Sequence, residues 1–257
     1  MTYSSLILTN LYGKYNIDGL SYGKLADALG DMYEEYVREV FSDQEITSSF
    51  LPNGEIITWD DYLVHSICAP YGISHIDSVD FPSISKRESG GSPKTDIALL
   101  INEQHLVKLT IKQSSAKNVT AAEFDVETIK REVGIHNKKV LSLVEKHQSD
   151  GSAINFLRSE KEELKDLLEH LNIKEKLVRW VLSGSSKTDD NEDIRVANHS
   201  LMFKINKSYL LQHINSYPIE QCVERITHRS SGFGTGLSWT FATGSKGKKI
   251  QFKCPVF

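Results

Sequence analysis

Apolar residues recur every three or four positions in several segments of the chain, a spacing that predicts amphipathic helices. The clearest stripe lies near the N-terminus, where it includes Leu29, Met32 and Tyr36. Another segment opens with Ser159 followed three positions later by Glu162, a pattern typical of a capping box at a helix start. The helices predicted in this way span about residues 25–41, 59–69, 121–133, 138–146, 159–171 and 174–182.

Other segments alternate apolar and polar residues or contain short apolar runs, as β-strands do. Residues 96–101 and 106–112 predict a hairpin that turns at Asn102 and Glu103. Further strands are predicted around residues 201–205, 238–242 and 249–253. Together with the helices, they predict an α/β fold, a mixed β-sheet flanked by helices, and the 257 residues suit one large domain.

Charge is distributed unevenly along the chain. The formal net charge is −4 at pH 7, which by itself argues weakly against a nucleic-acid partner. From position 225 to the end there is no Asp or Glu, and six Lys and Arg residues give this segment a charge of +6. Phe233, Trp239 and Phe252 are interleaved with them, which favours a folded surface over a disordered basic tail. The segment is therefore predicted to hold a polyanion site.

The remaining composition limits where the protein works. Cys68, Cys222 and Cys254 form neither a CxxC pair nor a zinc-ligand spacing, and are expected to be reduced thiols of a cytoplasmic protein. The N-terminal residues lack the basic segment of a secretory leader. No apolar run approaches the length of about 18 residues that a membrane span needs, so no membrane partner is expected.

Candidate chemistry is concentrated in the predicted hairpin. Asp96 begins its first strand, and Thr110 and Lys112 share one face of the returning strand. The hairpin thus brings a carboxylate, a hydroxyl and an ammonium together at the edge of the sheet. Phosphodiester hydrolysis needs such a set, because a carboxylate holds Mg²⁺ and a lysine stabilises negative charge in the transition state. The spacing alone leaves a surface ion pair as the alternative.

Longer stretches around this hairpin and near the C-terminus resemble a known family. They are GGSPKTD at 90–96, IKQSSAK at 111–117, EFDVETI at 123–129, GFGTGLSWT at 232–240 and GSKGKKIQFK at 244–253. In sequence, order and spacing they are similar to the MspI-type restriction endonucleases, as is the early helix around residues 29–36. The resemblance covers most of the chain and is thin only through residues 42–85 and 185–230.

This resemblance implies a PD-(D/E)XK nuclease fold and Mg²⁺-dependent cleavage of double-stranded DNA within CCGG, after the first C. The family's catalytic Asp and Lys fall on Asp96 and Lys112. The middle motif position, an Asn in the MspI type, is Thr110 here, a neutral and weaker metal ligand. Glu123 and Glu34 are candidate supporting carboxylates, so the predicted metal ligands are Asp96, Thr110, Glu123 and Glu34, with solvated helix faces as the alternative for the two glutamates.

Recognition of the DNA sequence is assigned to the C-terminal part of the chain, from about residue 195 onward. Gln251 and Lys253 alternate with Phe252 on the last predicted strand, so both point away from the core toward base edges. Short hydroxyl or backbone contacts are expected from Thr240, Thr243 and Ser245. Phosphate contacts are expected from Lys246, Lys248 and Lys249. The alternative is an ordinary amphipathic edge strand with a basic turn.

Three further points remain open at this stage. The glycines at 232, 234 and 236 precede a predicted strand, not a helix, so they indicate close backbone packing or approach to DNA; no organic cofactor is expected. A nicking or structure-specific nuclease of the same fold is one alternative function. A DNA-binding module whose catalysis has decayed is another, because of Thr110. The protein is expected to act as a monomer or homodimer and to require a cognate methyltransferase in its host.

Overall fold

In a computed structural model of the chain, the structure describes residues 3–17, 20–86, 93–150, 154–188, 192–241 and 247–256. The chain forms two compact units. The first comprises Met1–Ser115 and Ala197–Pro218, and the second comprises Ala116–Val196 and Ile219–Phe257. The predicted hairpin therefore belongs to the first unit, and the predicted strands at 238–242 and 249–253 belong to the second.

Helices and strands occur in runs along the chain. In the N-terminal part they are α1 (Leu6–Tyr15), α2 (Tyr22–Ser42), α3 (Gln44–Ser48), α4 (Trp59–Cys68), a 3₁₀ turn (Ala69–Tyr71), β1 (Val79–Asp80), β2 (Ile97–Ile101) and β3 (His105–Ser114). The middle contains β4 (Asn118–Phe124), α5 (Val126–Val133), α6 (Lys138–Asp150), α7 (Arg158–His170) and α8 (Ile173–Ser183). The C-terminal part contains β5 (His199–Ile205), β6 (Leu211–Pro218), α9 (Ile219–Thr227), β7 (Ser238–Phe241) and β8 (Ile250–Pro255).

The first unit is built on a five-stranded sheet in the order β1-β2-β3-β5-β6. Strands β3 and β5 run parallel and the other neighbours antiparallel, which confirms the predicted mixed sheet. The predicted hairpin is confirmed as β2 and β3, and its turn residues Asn102 and Glu103 both have positive φ. Positive φ at both central residues is typical of a type I′ turn, which here is closed by the backbone N–H of Gln104 donating to the carbonyl of Ile101 at 3.2 Å.

The predicted N-terminal helix is confirmed as α2, and its apolar stripe explains why it packs on the sheet. Met32, Tyr33 and Tyr36 are fully buried in the core that includes Leu109 and Phe203 of the sheet. The rings of Tyr33 and Phe203 stack with centroids 4.3 Å apart. Aromatic burial of this kind supplies much of the energy of a core, so the stripe fixes which side of α2 faces the sheet.

A buried histidine in the first unit ties two strands to a helix. The ring of His199 is completely buried; its Nδ1 lies 3.2 Å from the hydroxyl of Tyr71 and its Nε2 lies 2.7 Å from that of Ser216. Ser216 in turn donates to the carbonyl of Ser66, so its oxygen accepts from the ring nitrogen. Burial lowers the pKa of His199 from 6.5 to about 3. The ring is therefore neutral in the folded protein.

We expect this histidine to make the protein less stable as the pH falls below about 6.5. In that range the unfolded chain binds a proton that folded His199 does not, so the free energy of unfolding falls by up to about 1.4 kcal/mol per pH unit. Urea unfolding measured between about pH 7 and pH 4 checks this against His199→Gln, which can keep both hydrogen bonds without titrating. Equal pH slopes for the two proteins would contradict the prediction.

The second unit contains a three-stranded antiparallel sheet in the order β4-β8-β7. The predicted helix over residues 121–133 is wrong in its first part, because residues up to Phe124 belong to β4 and the helix begins only after Asp125, whose carboxylate caps it. An irregularity in the pairing between Thr120 and Ala122 buries both Ala121 and Ala122. It breaks the alternation by which a strand is recognised.

The predicted capping box at the start of α7 is also wrong. The helix begins at Arg158, so Ser159 lies inside its first turn. Glu160 takes the capping role instead, since its carboxylate accepts from the backbone N–H of Leu157 at 2.8 Å. The helices predicted at 59–69, 138–146 and 174–182 are confirmed as α4, α6 and α8. In the part of the chain that the structure describes, no helix has the length and apolarity to cross a membrane.

The glycine-rich loop before β7 is closely packed against its own unit. A Cβ added at Gly232 would lie 1.7 Å from the carbonyl oxygen of Leu237, and one at Gly236 would lie 1.7 Å from that of Ile226. Both residues also have positive φ, so only glycine fits. Between them, the Thr235 hydroxyl accepts a hydrogen bond from the indole N–H of Trp239 at 3.1 Å. The loop thereby fixes the start of β7.

Candidate active site

The structure brings Asp96 and Lys112 together in the hairpin of the first unit. Asp96 directly precedes β2, and its backbone N–H continues the ladder by donating to the carbonyl of Leu109 at 2.7 Å. Its Oδ2 accepts from the backbone N–H of Ile111 at 2.6 Å and lies 3.4 Å from Nζ of Lys112. The two side chains are 22% and 26% exposed, so solvent and substrate can reach a pair whose geometry the backbone fixes.

Thr110 is the middle residue of the predicted catalytic motif, after Asp96 and before Lys112 in the chain. The register that pairs Ile97 with Leu109 places Asp96 opposite Thr110. Thr110 is 3% exposed, and its hydroxyl oxygen has no hydrogen-bond partner among the residues described. Buried polar groups without a partner are rare and usually indicate a missing ligand, ion or water. The hydroxyl oxygen of Thr110 is therefore available as a metal ligand opposite Asp96.

A second carboxylate, that of Glu34 on α2, shares the surroundings of this pair. Burial, and after it the negative charge of Asp96, raise the pKa of Glu34 from 4.5 to about 7. The positive charges of Lys112 and Arg38 act in the opposite direction. A carboxyl group whose pKa is raised by burial and by a neighbouring carboxylate is a candidate member of a functional site.

The donor set fits a hard divalent cation. Among the residues described, no group of three or more His, Cys, Asp or Glu side chains is placed to hold a metal. Asp96, Glu34 and the unpartnered hydroxyl of Thr110 offer oxygen atoms only. Mg²⁺ prefers oxygen ligands and retains several of its waters, so a site with two carboxylates and one hydroxyl suits it.

The structure places Glu123, the remaining predicted metal ligand, on β4 of the second unit. There it pairs in register with Gln251 of β8, which pairs in turn with Thr240 of β7. The amide nitrogen of Gln251 donates to the carboxylate of Glu123 at 2.5 Å, and the hydroxyl of Thr240 lies 3.2 Å from the amide oxygen. Sequence reasoning missed this contact, because residues 121–133 were assigned to a helix.

Lys253 lies on the same exposed face of the three-stranded sheet as Gln251. It pairs with Ser238 on one side and Thr120 on the other. Phe252, on the opposite face, is fully buried, as the predicted alternation requires. We call the side chains of these three strands that share the exposed face the polar sheet face; they are Thr120, Glu123, Ser238, Thr240, Gln251 and Lys253.

The other predicted DNA contacts precede β8. Lys248 and Lys249 are exposed there. Thr243, Ser245 and Lys246 lie outside the described residues. In the first unit, a further positioning residue escaped sequence reasoning: Gln113 donates from its amide to the backbone carbonyl of Ala26 at 3.0 Å and so fastens β3 to α2. No local pattern signals this contact, since its partner lies 87 positions away.

Comparisons with known proteins identify the family of this chain. Residues 21–254 match the family model described as restriction endonuclease MspI. The type II restriction enzyme MspI of Moraxella sp is 33% identical over 265 residues, which cover 96% of this chain and 98% of that protein. A crystal structure of restriction endonuclease MspI in complex with its cognate DNA superposes with a TM-score of 0.83 at 32% identity, covering 97% of this chain and 99% of that one.

Proposed function

Because this chain belongs to the MspI restriction endonuclease family and is therefore a type II restriction endonuclease, we propose that it cuts double-stranded DNA at CCGG, after the first C. The observation that carries the nuclease chemistry is the contact between Asp96 and Lys112, with the unpartnered hydroxyl of Thr110 opposite Asp96 in the hairpin register and Glu34 near enough to feel the charges of both. The proposed target sequence, CCGG, rests on the resemblance of the chain to a family that is expected to cut that sequence.

In this proposal, Asp96, Glu34 and Thr110 hold Mg²⁺, which when bound neutralises charge on the phosphate and lowers the pKa of a coordinated water. The backbone N–H of Ile111 fixes the Asp96 carboxylate. Lys112 donates from Nζ to an oxygen of the scissile phosphate and stabilises the negative charge that develops there. In the free protein the same Nζ donates to the carbonyl of Ile111 at 2.7 Å, which keeps it beside the site.

Thr110 acts here as a neutral oxygen ligand, so an amide oxygen should replace it. We expect Thr110→Asn to cut the cognate duplex at a rate within about tenfold of the wild type, because a neutral ligand changes the site little. Thr110→Val has nearly the same shape without the hydroxyl and should require more Mg²⁺ for half-maximal rate. Initial rates across a Mg²⁺ titration measure both effects. Loss of all cleavage in a folded Thr110→Asn protein would contradict the proposed role.

Recognition is assigned to the polar sheet face and the basic residues next to it. Gln251 and Lys253 read base edges, with hydroxyl or backbone contacts from Thr240, Thr243 and Ser245. The phosphate contacts come from Lys246, Lys248 and Lys249. What supports this division is that Gln251 and Lys253 are partly exposed opposite a fully buried Phe252, so both are available to one groove.

Residues that contact base edges and residues that contact phosphates should respond differently to substitution. Gln251→Ala and Lys253→Ala are each expected to reduce discrimination between CCGG and its single-base variants by about ten- to a hundredfold. Lys248→Ala should weaken binding to all sequences alike and reduce the salt slope by about one unit. Competition binding at several salt concentrations separates the two. Equal loss of cognate and non-cognate affinity in Gln251→Ala and Lys253→Ala would make these residues phosphate contacts.

A digest of supercoiled plasmid with the purified protein and Mg²⁺ tests the proposed function. Discrete linear fragments whose sequenced ends begin with CGG are expected, and omission of Mg²⁺ should abolish them. Relaxed circles alone would indicate a nicking enzyme, and a gel shift without cleavage would indicate a DNA-binding module. Ends centred on another tetranucleotide would overturn CCGG and leave the nuclease assignment standing.

The biological setting follows from the same proposal. A host that carries this enzyme needs a methyltransferase for the same tetranucleotide, since its own genome contains the site. We place the enzyme in the cytoplasm, acting as a monomer or homodimer on a palindrome. Cys68, Cys222 and Cys254 are buried thiols, which suits a reducing compartment.

A further inference from the structure

Glu123, the fourth predicted metal ligand, lies on the polar sheet face of the second unit. Its carboxylate is exposed on β4, and the residue that it contacts is Gln251, the proposed base reader. We propose that Glu123 is a specificity residue that fixes the orientation of the Gln251 amide and itself accepts a hydrogen bond from a cytosine amino group. This inference rests on the proposed function and deepens it.

The orientation of the Gln251 amide follows from hydrogen-bond chemistry. An ionised carboxylate only accepts hydrogen bonds, so the amide edge 2.5 Å from Glu123 must be the NH₂ group. The amide oxygen then faces the hydroxyl of Thr240, 3.2 Å away; the one hydrogen of that hydroxyl can go to this oxygen or to the backbone carbonyl of Gln251, also at 3.2 Å, so the contact with Glu123 is the one that sets the orientation. A Gln side chain without such neighbours turns over freely and presents either a donor or an acceptor to a base.

With the orientation of the Gln251 amide fixed, Gln251 and Glu123 present a defined pair of hydrogen-bond donor and acceptor to DNA. The second N–H of the Gln251 amide is a donor, and the carboxylate of Glu123 next to it is an acceptor. In the major groove, a G·C pair places the O6 acceptor of guanine next to the N4 amino donor of cytosine. The two side chains therefore match one G·C pair in one direction. A reversed C·G pair, or an A·T pair with adenine in place of guanine, would set donor against donor and acceptor against carboxylate, whereas a T·A pair presents the same order of acceptor and donor at these two atoms.

Glu123→Gln separates this role from metal binding. The variant loses the charge and the acceptor-only edge but keeps the size of an exposed side chain, so folding is preserved. We expect discrimination at one base pair, measured as the ratio of kcat/KM values on CCGG and its variants, to fall about ten- to a hundredfold. The Mg²⁺ concentration for half-maximal rate should stay the same. Glu127→Gln, an equal change of charge at an exposed site on α5, should alter neither quantity.

Substrate analogues test the contact atom by atom. Duplexes are made in which each cytosine of the site in turn is replaced by 2-pyrimidinone, which lacks the 4-amino group. At one position the wild type should lose about tenfold or more in kcat/KM, and Glu123→Gln should lose little further, because the contact is already gone. Equal penalties in both proteins at every position would overturn the assignment.

Three outcomes would overturn the assignment in distinguishable ways. A raised Mg²⁺ requirement in Glu123→Gln with unchanged discrimination would make the residue a metal ligand. A wild type that cuts at no defined sequence would remove the proposed function and this assignment together. A wild type that cuts CCGG while the analogue penalties remain additive would remove only the role of Glu123.

Discussion

Asp96→Asn is expected to slow cleavage of the cognate duplex by about a thousandfold or more, since loss of a metal-binding carboxylate removes several kcal/mol of transition-state stabilisation. The substitution is nearly isosteric, and the Asn oxygen still accepts from the backbone N–H of Ile111, so the hairpin keeps its shape. Specific DNA binding should persist, because the proposed readers lie on other strands. Single-turnover cleavage and a gel shift on the same duplex measure the two effects.

An exposed carboxylate of the same unit provides the control for Asp96→Asn. Asp77→Asn removes the same charge from the protein surface and should cut at the wild-type rate. A second readout is independent of catalysis: the charge of Asp96 raises the pKa of Glu34, so in the metal-free variant that pKa should fall from about 7. Cleavage by Asp96→Asn at a rate near that of the wild type would contradict the active-site assignment.

Lys112→Ala should also nearly abolish cleavage. The rate is expected to fall by about a hundred- to a thousandfold or more, because the substitution removes the ammonium that faces the developing charge on the phosphate. In this variant the pKa of Glu34 should rise, since Lys112 lowers it, which is the opposite direction from Asp96→Asn. Binding of the cognate duplex should be largely retained. Lys24→Ala, a change of the same kind at an exposed position of α2, controls for the loss of one positive charge.

Lys112→Ala and Asp96→Asn together distinguish an active site from a surface ion pair. In an ordinary ion pair 22–26% exposed, removing either partner would change the free energy of unfolding by less than about 1 kcal/mol and leave DNA cleavage intact. Single-turnover rates that remain within a fewfold of the wild type in a folded Lys112→Ala protein would therefore favour that plain alternative.

What the sequence determined by itself is the set of elements whose signal is local. The stripe of α2 and the alternation in β3 depend on neighbouring residues, and both were predicted close to their observed positions. The same alternation predicted that Thr110 and Lys112 would share a face opposite Leu109 and Ile111, which lie in the core. The relation of Gln251 and Lys253 to the buried Phe252 was predicted for the same reason. Where one side of a strand or helix is apolar, its period of two or of 3.6 residues determines the face on which each side chain lies.

The tertiary structure alone decided which distant segments meet. Strand β4 was predicted as helix because its pairing irregularity buries Ala121 and Ala122 in succession, and only pairing with β8 reveals a strand. The contact between Glu123 and Gln251 spans 128 positions of the chain. Local periodicity contains no information about such pairs, because long-range packing and hydrogen bonding, not neighbouring residues, select the partner. The same reason applies to Glu34, whose raised pKa depends on burial and on the charge of Asp96, neither of which its own helix determines.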